Sequence, residues 1–334
     1  MANYIIIGGD QKEYGPITAD DVRLWIAEGR LNEVSLVKVE GGEEFLPLRT
    51  FAEFSGAFAS GDAAPSATDW SQRDYELDIF GCISRGWGLV KNNFGILFVS
   101  LLVLALVGVA FFGVLGLVVS VAVPEHLLAR PGFKVGFNLI FSAVSALVMG
   151  PLAGGLYLVY LRIIRGVPTG VGDVFAGFQQ SFFQLFLGYL AVVLATGLCM
   201  APFNYISTAR MAPLLAQMKN AAPAEIQNLS PQIMSAFMSV LPVLLICMVP
   251  VMYLTVNWMF TQALIIDKQM AFWPAMKASW KMVHKHWWPV FGLVVITGLL
   301  NIAGLCACCV GLLFTVPIGI AALMFAYETI FPER

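Results

Sequence analysis

Charge is scarce in this chain. Lys, Arg, Asp and Glu together make up 12% of its 334 residues, about half the share found in a soluble globular domain. The 19 basic and 21 acidic residues leave a formal net charge of −2. That balance excludes a protein that grips nucleic acid through a surplus of cations, so no nucleic-acid partner is expected. Histidine and cysteine are also few, three and six residues. The cysteines Cys82, Cys199, Cys247, Cys306, Cys308 and Cys309 lie in or beside apolar stretches, which excludes a secreted disulfide framework. The cluster Cys306-Ala307-Cys308-Cys309 has no histidine near it and reads as small, soft residues packing at a helix end. His284 and His286, two apart on a helix, point to different faces. No metal and no other cofactor is expected. There is no catalytic dyad and no HExxH helix, so enzyme activity is not expected either. The apolar run Tyr4 to Ile7 is short and lacks a cationic lead-in, which excludes a signal peptide and leaves the amino terminus in the cytoplasm.

Apolar residues make up 59% of the chain and the mean hydropathy is +0.80. Six stretches carry no charge: 95–123, 137–161, 182–206, 237–266, 289–310 and 311–327. About twenty apolar residues cross a hydrocarbon core of roughly 30 Å, so the sequence predicts six transmembrane helices. The last two stretches abut, and a tight turn near 308–311 converts them into a hairpin. Arg85, Lys91, Arg162, Arg165, Lys268, Lys277, Lys281, Lys285 and Arg334 fall on one side of this path. Only Arg130, Lys134, Arg210 and Lys219 fall on the other. The positive-inside rule then puts both termini in the cytoplasm of a bacterial cell, with the protein in the cytoplasmic (inner) membrane. The longest external connection, about 207–235, is expected to hold short helices, with Ser230-Pro231 as cap and first helical residue. Pro242 and Pro250 are expected to kink the fourth span.

The membrane half repeats itself weakly. Apolar stripes at alternating spacings of three and four precede the first, third and fifth spans: 78–90, 173–185 and 272–287. Each reads as an amphipathic interfacial helix feeding a spanning helix. In the third, Lys277, Lys281 and Lys285 stand at i, i+4 and i+8 and form a cationic ridge beside Trp280, Trp287 and Trp288. Such a ridge suits anionic lipid headgroups, each Lys contributing about 1 kcal/mol near a charged surface. Membrane lipids are therefore expected partners. The span interiors offer only neutral polar residues such as Asn138, Asn257 and Asn301, whereas proton relays and ion-coupled carriers place ionisable groups there.

Residues 1–54 obey ordinary soluble rules. Tyr4–Ile7 reads as a strand, 8–10 and 14–16 as turns, and Thr18 as the cap of a helix bearing Asp20, Asp21, Val22, Trp25 and Ile26. Gly29 ends that helix and Leu36–Val39 is a second strand. Fifty residues bury only a small core, so this is one small α+β module. Residues 55–74, rich in Ala, Ser, Gly and Pro, read as a flexible linker. The expected fold class is therefore a small α+β module, a linker and an all-α polytopic bundle over 75–331.

The module resembles the GYF family, in particular the bacterial GYF-like type. The residues that carry the resemblance are Gly15-Pro16-Ile17, Val22, Trp25 and Gly29-Arg30-Leu31, each at the family's spacing. Tyr4 stands at the family's leading Trp, while Ile17, Arg30 and Leu31 replace aromatics. GYF domains accept proline-rich segments in an aromatic groove. The resemblance implies a peptide-binding site at Tyr4, Tyr14, Trp25, Arg30 and Leu31. Residues 75–331 resemble bacterial integral membrane proteins without an assigned activity. That resemblance is carried by Gly86-Trp87, the run 150–155 (Gly-Pro-Leu-Ala-Gly-Gly), Arg165-Gly166, Gly172-Asp173, Gly177-Phe178, Ser279-Trp280, the run 311–317 and Tyr327. The expected role is a membrane-anchored interaction or scaffold protein whose partner is a cytosolic protein or peptide, with proline-rich segments among the candidates. The alternatives are a passive transporter or channel regulated by the module, or a membrane enzyme acting on lipid.

Overall fold

A computed structural model describes residues 3–7, 13–27, 31, 35–40, 45–51, 53, 74–220, 223–306 and 310–332. The chain divides into two compact units, Met1–Ser66 and Ala67–Arg334. The expected linker lies almost entirely outside the described residues.

The first unit is an antiparallel sheet with one helix. Strands β1 (Asn3–Ile7), β2 (Glu13–Thr18), β3 (Leu36–Val39) and β4 (Leu46–Pro47) run in the order β2-β1-β3-β4. Helix α1 (Ala19–Ala27) follows β2 directly. The Thr18 hydroxyl accepts a hydrogen bond from the Asp21 N–H at 3.3 Å, and the Asp21 carboxylate accepts from the Thr18 N–H at 3.3 Å. This reciprocal cap satisfies two donors that an open helix start leaves unpaired. Tyr4, Ile6, Val22, Val37 and Leu48 form the buried core, with Ile17, Trp25, Leu31 and Phe51 packed around it.

The expected turn at 14–16 is instead part of β2. Tyr4 pairs with Ile17 and Ile6 with Tyr14, so the register slips by one residue between them, as at a β-bulge. Gly15 occupies the slip with φ +143°, and a Cβ there would lie 2.6 Å from the Tyr4 carbonyl oxygen. A Gly-Pro pair signals a turn in isolation, but here the two flanking strand pairings absorb it. The expected turn at 8–10 and the stop at Gly29 lie outside the described residues.

The second unit is helical. Helix α2 (Ile79–Asn92) leads into α3 (Phe94–Ala122); a short α4 (Glu125–Leu128) precedes α5 (Pro131–Ile164). A 3-10 turn (Val171–Phe175) and a short α6 (Ala176–Gln180) then lead into α7 (Phe182–Asn220) and α8 (Pro223–Trp258). Helices α9 (Thr261–Lys268), α10 (Phe272–Lys285), α11 (Trp287–Cys306) and α12 (Leu312–Ile330) complete it. Among the described residues, six helical segments are long and apolar enough to cross a membrane. Leu106, Val109, Val114, Leu117 and Val121 of α3 are exposed, as are Leu245, Ile246 and Val249 of α8. Lipid tails are the solvent such faces require. These features make the chain a multi-pass membrane protein.

Three corrections concern the membrane half. First, segment 207–235 is not a loop with short helices. Helix α7 continues through 207–220 and α8 runs on from 223, residues 221–222 lying outside the described ones, and Ser230-Pro231 lies inside α8 rather than at its start. Lys and Glu mark where the bilayer can end, but they are good helix formers and stop no helix. At 1.5 Å per residue α7 is about 58 Å long, roughly twice the hydrocarbon thickness. Second, the apolar stripe of α2 meets its buried face only in part, at Ile83 and Val90. Cys82, Gly86 and Val90 are buried, whereas Phe80 and Trp87 are 75% and 53% exposed. Gly86 fits against Ile318, Ala321 and Ala322 of α12, because close helix contact selects small residues over large apolar ones. Third, the second interfacial unit is not a regular amphipathic helix but the 3-10 turn and short α6.

That short segment folds back onto α5. The α5 terminus closes with the Gly166 N–H donating to the Ile163 carbonyl at 3.1 Å and the Val167 N–H to the Arg162 carbonyl at 2.8 Å. Gly166 supplies the left-handed φ of +68° that this end requires. The returning backbone then lies on the small residues 150–155. A Cβ on Gly155 would stand 1.9 Å from the Val174 carbonyl oxygen, and one on Gly177 would stand 2.1 Å from that of Pro151. Between the last two spans, Gly304 and Gly311 are in close contact, and Val310-Gly311, the described part of the expected turn, leads into α12. Cys308 and Cys309 lie outside the described residues.

Candidate functional site

The five residues expected to bind peptide do not share one environment. Tyr4 is 1% exposed, and its hydroxyl donates to the Glu53 carboxylate. It packs edge-on to Phe51 at 6.1 Å. Trp25 and Leu31 are half-buried against the same core, and the Leu31 N–H donates to the Trp25 carbonyl at 3.2 Å. Tyr14 is 45% exposed. Arg30 lies outside the described residues. Tyr4 therefore supports the fold from within, while Tyr14 and the outer edge of Trp25 are the aromatic surface that a ligand can reach.

Lys277, Lys281 and Lys285 are all exposed on α10, and the Lys277 ammonium lies 5.5 Å from the centre of the Trp273 ring. The opposite face of α10 is buried: Ala275, Met276, Ala278, Ser279, Met282 and Val283. The Ser279 hydroxyl donates to the Asn257 carbonyl at 2.7 Å, taking up an acceptor near the end of α8. The ridge is therefore held rigidly by the face beneath it. At its far end Lys285 joins His284, His286, Tyr253, Trp287 and Trp288 around a cavity of about 520 Å3. The Tyr253 hydroxyl is 3.2 Å from His284 Nδ1. His286 Nε2 is 2.5 Å from the Asp74 carboxylate. The bond to His286, helped by the Tyr75 N–H, holds the Asp74 carboxyl below the usual carboxylate range. Burial pushes the neighbouring Tyr75 hydroxyl well above its ordinary pKa, so it stays protonated and donates to the Met282 carbonyl at 3.0 Å. The two histidines thus point to different partners, and among the described residues no group of His, Cys, Asp and Glu could hold a metal.

Sequence reasoning missed the most buried ion-pair cluster among the described residues. Arg165, just beyond α5, donates to the Asp267 carboxylate of α9 at 2.5 and 3.0 Å and to Glu328 of α12 at 2.6 Å. The Asp267 side chain is 5% exposed and also accepts from the Tyr327 hydroxyl at 2.8 Å. Lys268 adds a second cation at 3.4 Å. Burial alone would lower the Arg165 pKa, but its two carboxylate partners outweigh it and raise it. Beneath lie the rings of Phe260, Tyr327 and Phe331, packed together at 5.4 to 6.1 Å. A second pair, Arg162 with Asp173 at 2.9 Å, ties the returning segment to α5. Arg162, Arg165 and Lys268 carry topology information in the sequence. Asp267 and Glu328, the acids that partner Arg165, sit at helix ends 102 and 163 residues from it in the chain, and only pairing reveals them. The cluster consumes its own charges in fastening three helix ends, which is structural chemistry.

A protein-family model described as Domain of unknown function (DUF7847) matches residues 77–331. Comparison with curated proteins finds no match, and comparison with solved structures finds none.

Proposed function

The chain belongs to the DUF7847 family, and we propose that this member is a membrane-anchored interaction protein. Its amino-terminal module recruits a cytosolic protein or peptide to the cytoplasmic membrane. The observation that carries the reading is the division of the chain. The module has its own sheet, its own capped helix and its own core, and it belongs to a different compact unit from the six apolar helices. The GYF-like spacing around Gly15, Trp25 and Gly29, together with exposed Tyr14, supports a peptide ligand. Proline-rich segments are the first class to try. The asymmetry of Lys and Arg supports cytoplasmic termini.

The test uses the full chain in nanodiscs, presented to labelled proline-rich peptides and to host cytosol. A ligand retained by the full chain, lost when residues 3–54 are removed and weakened by Tyr14→Ala is the expected result. Retention that is indifferent to the module overturns the reading. A solute flux in proteoliposomes that survives its removal replaces it with the transporter alternative.

The exposed ridge of Lys277, Lys281 and Lys285 supports a second partner, anionic lipid. Replacing all three by Gln should weaken association with phosphatidylglycerol while leaving the thermal stability of the bundle unchanged. An unchanged lipid preference would reduce the ridge to a topology signal.

A further inference from the structure

At the opposite end of α5 from Arg165, two cavities lie one helical turn apart along the seam between α5 and α7. The outer one, about 600 Å3, is walled by Glu125, His126, Lys134, Thr208, Leu215 and Lys219 among others. The deeper one, about 250 Å3, is walled by Asn138, Leu139, Phe141, Ser142, Gly197 and Asn204, with Val135. The spacing explains why they align. Lys134, Asn138 and Ser142 stand at i, i+4 and i+8 on α5, and Asn204 and Thr208 at i and i+4 on α7, so each set lies on one helix face. Gly197 keeps the helices from filling the gap, since a Cβ there would press to 3.0 Å on Leu139.

Asn138, Ser142 and Asn204 lie within the charge-free spans, with Lys134 just beyond them, and these side chains have little to bind. Ser207 and Thr208 turn back onto the Asn204 carbonyl at 3.2 and 2.7 Å, and the Ser142 carbonyl accepts from Ser145 at 2.8 Å. The Lys134 ammonium, the Asn138 and Asn204 amides and the Ser142 hydroxyl have no hydrogen bond or ion pair among the described residues. Polar groups at membrane depth are ordinarily satisfied by protein or by what fills the cavity they line. The charges around the mouth select the filling. Glu125 is neutralised by Lys219 at 2.6 Å, which leaves half-buried Lys134 as the uncompensated Lys among the described residues of the wall. The first turn of α5 contains no acid, so the positive end of its dipole adds to Lys134. Leu139, Phe141 and Leu215 are apolar.

We infer that this seam is a binding site for the phosphate-bearing headgroup of an anionic lipid. Lys134 pairs with the phosphate, Asn138 and Asn204 hydrogen-bond the glycerol and ester oxygens, and the acyl chain lies along the apolar wall. The site is distinct from the α10 ridge and lies at the other end of the bundle.

The experiment uses the full chain in phosphatidylcholine nanodiscs doped with a photoactivatable phosphatidylglycerol, with adducts mapped by mass spectrometry. Adducts should concentrate in 134–142 and 204–219, and unlabelled phosphatidylglycerol should displace them while phosphatidylcholine does not. Lys134→Gln should reduce them about tenfold, the worth of a charge-assisted hydrogen bond, with an unchanged melting curve. Asn204→Leu, which fills the cavity with hydrocarbon, should reduce them independently. The triple Gln variant of Lys277, Lys281 and Lys285 should leave them intact. Displacement by inorganic phosphate would show that the same anion chemistry accepts a free ion rather than needing the lipid. Adducts spread evenly around the bundle, or equal labelling in wild type and both seam variants, would overturn the proposal.

Discussion

Arg165 and Asp267, 102 residues apart in the chain, share two parallel hydrogen bonds, Nη1 to Oδ1 at 2.5 Å and Nη2 to Oδ2 at 3.0 Å. The planar guanidinium fits the carboxylate in a way an ammonium cannot. With Glu328 on its other side, Arg165 joins the ends of α5, α9 and α12. Removing it leaves Asp267 buried without its main counter-charge. Arg165→Gln should therefore cost about 3–5 kcal/mol in bundle stability, the range for a broken buried pair. Arg165→Lys should recover only part of that. Thermal unfolding of the detergent-solubilised protein measures both, and a loss of less than about 1 kcal/mol would mark the pair as a surface-type bridge.

Gly155 and Gly172 bracket the returning segment and differ in what surrounds them. A methyl at Gly155 collides with the Val174 backbone, whereas one at Gly172 meets nothing within 4 Å. Gly155→Ala should lower the melting midpoint sharply, and Gly172→Ala should leave it within the scatter of surface substitutions, about 0.5 kcal/mol. Equal effects would show that the segment does not rest on α5 as described.

Asp173 gives this contact a pH dependence. Burial alone would raise its carboxyl. The Gly170 N–H, the Thr169 hydroxyl and the Arg162 guanidinium outweigh burial and hold its pKa below the ordinary 3.8. A depressed folded-state pKa means stabilisation that is complete above the unfolded value and lost as pH falls through the lowered one. The difference in melting temperature between wild type and Asp173→Asn should thus be constant from neutral pH to about pH 5, then shrink below pH 4. The Asp173 carboxyl 13C shift should titrate below 3.8 and move upward in Arg162→Gln. A gap that widens with acid would contradict the assignment.

In the amino-terminal module, Thr18 and Asp21 cap α1 reciprocally. Thr18→Ala should destabilise the module by about 1 kcal/mol, lowering its melting midpoint by roughly 5 °C without affecting the bundle transition. Thr18→Ser should restore most of the loss, because it keeps the hydroxyl.

The six spans were legible because hydrocarbon imposes a single rule, a charge-free run of sufficient length, and residues 94–330 obey it locally. The cap at Thr18 was legible for a similar reason, since it involves neighbours three residues apart. The stripe of α2 was not. Its sequence offers Phe80 and Trp87 with Val90 as the apolar side, but lipid accepts large apolar residues as readily as a protein core does, and the buried face keeps Val90 while taking Cys82 and Gly86 in place of the two rings. The helical continuation of α7 and α8 escaped because charge marks the edge of the bilayer and not the end of a helix. Of the expected peptide-binding residues, Tyr4 shares its apolar character with the core in which it lies, and spacing alone does not separate the two roles.

The sequence by itself determined that this is a membrane protein with a small soluble-type module at its start, because hydrophobic run length and turn chemistry act over a few neighbouring residues. Only the tertiary structure decided which charges meet. Nothing local pairs Arg165 with Asp267 and Glu328, or the Lys134–Asn138 face of α5 with Asn204 of α7. They become a clamp and a polar seam when helices distant in the chain pack side by side, since electrostatics and cavity shape depend on distances in space.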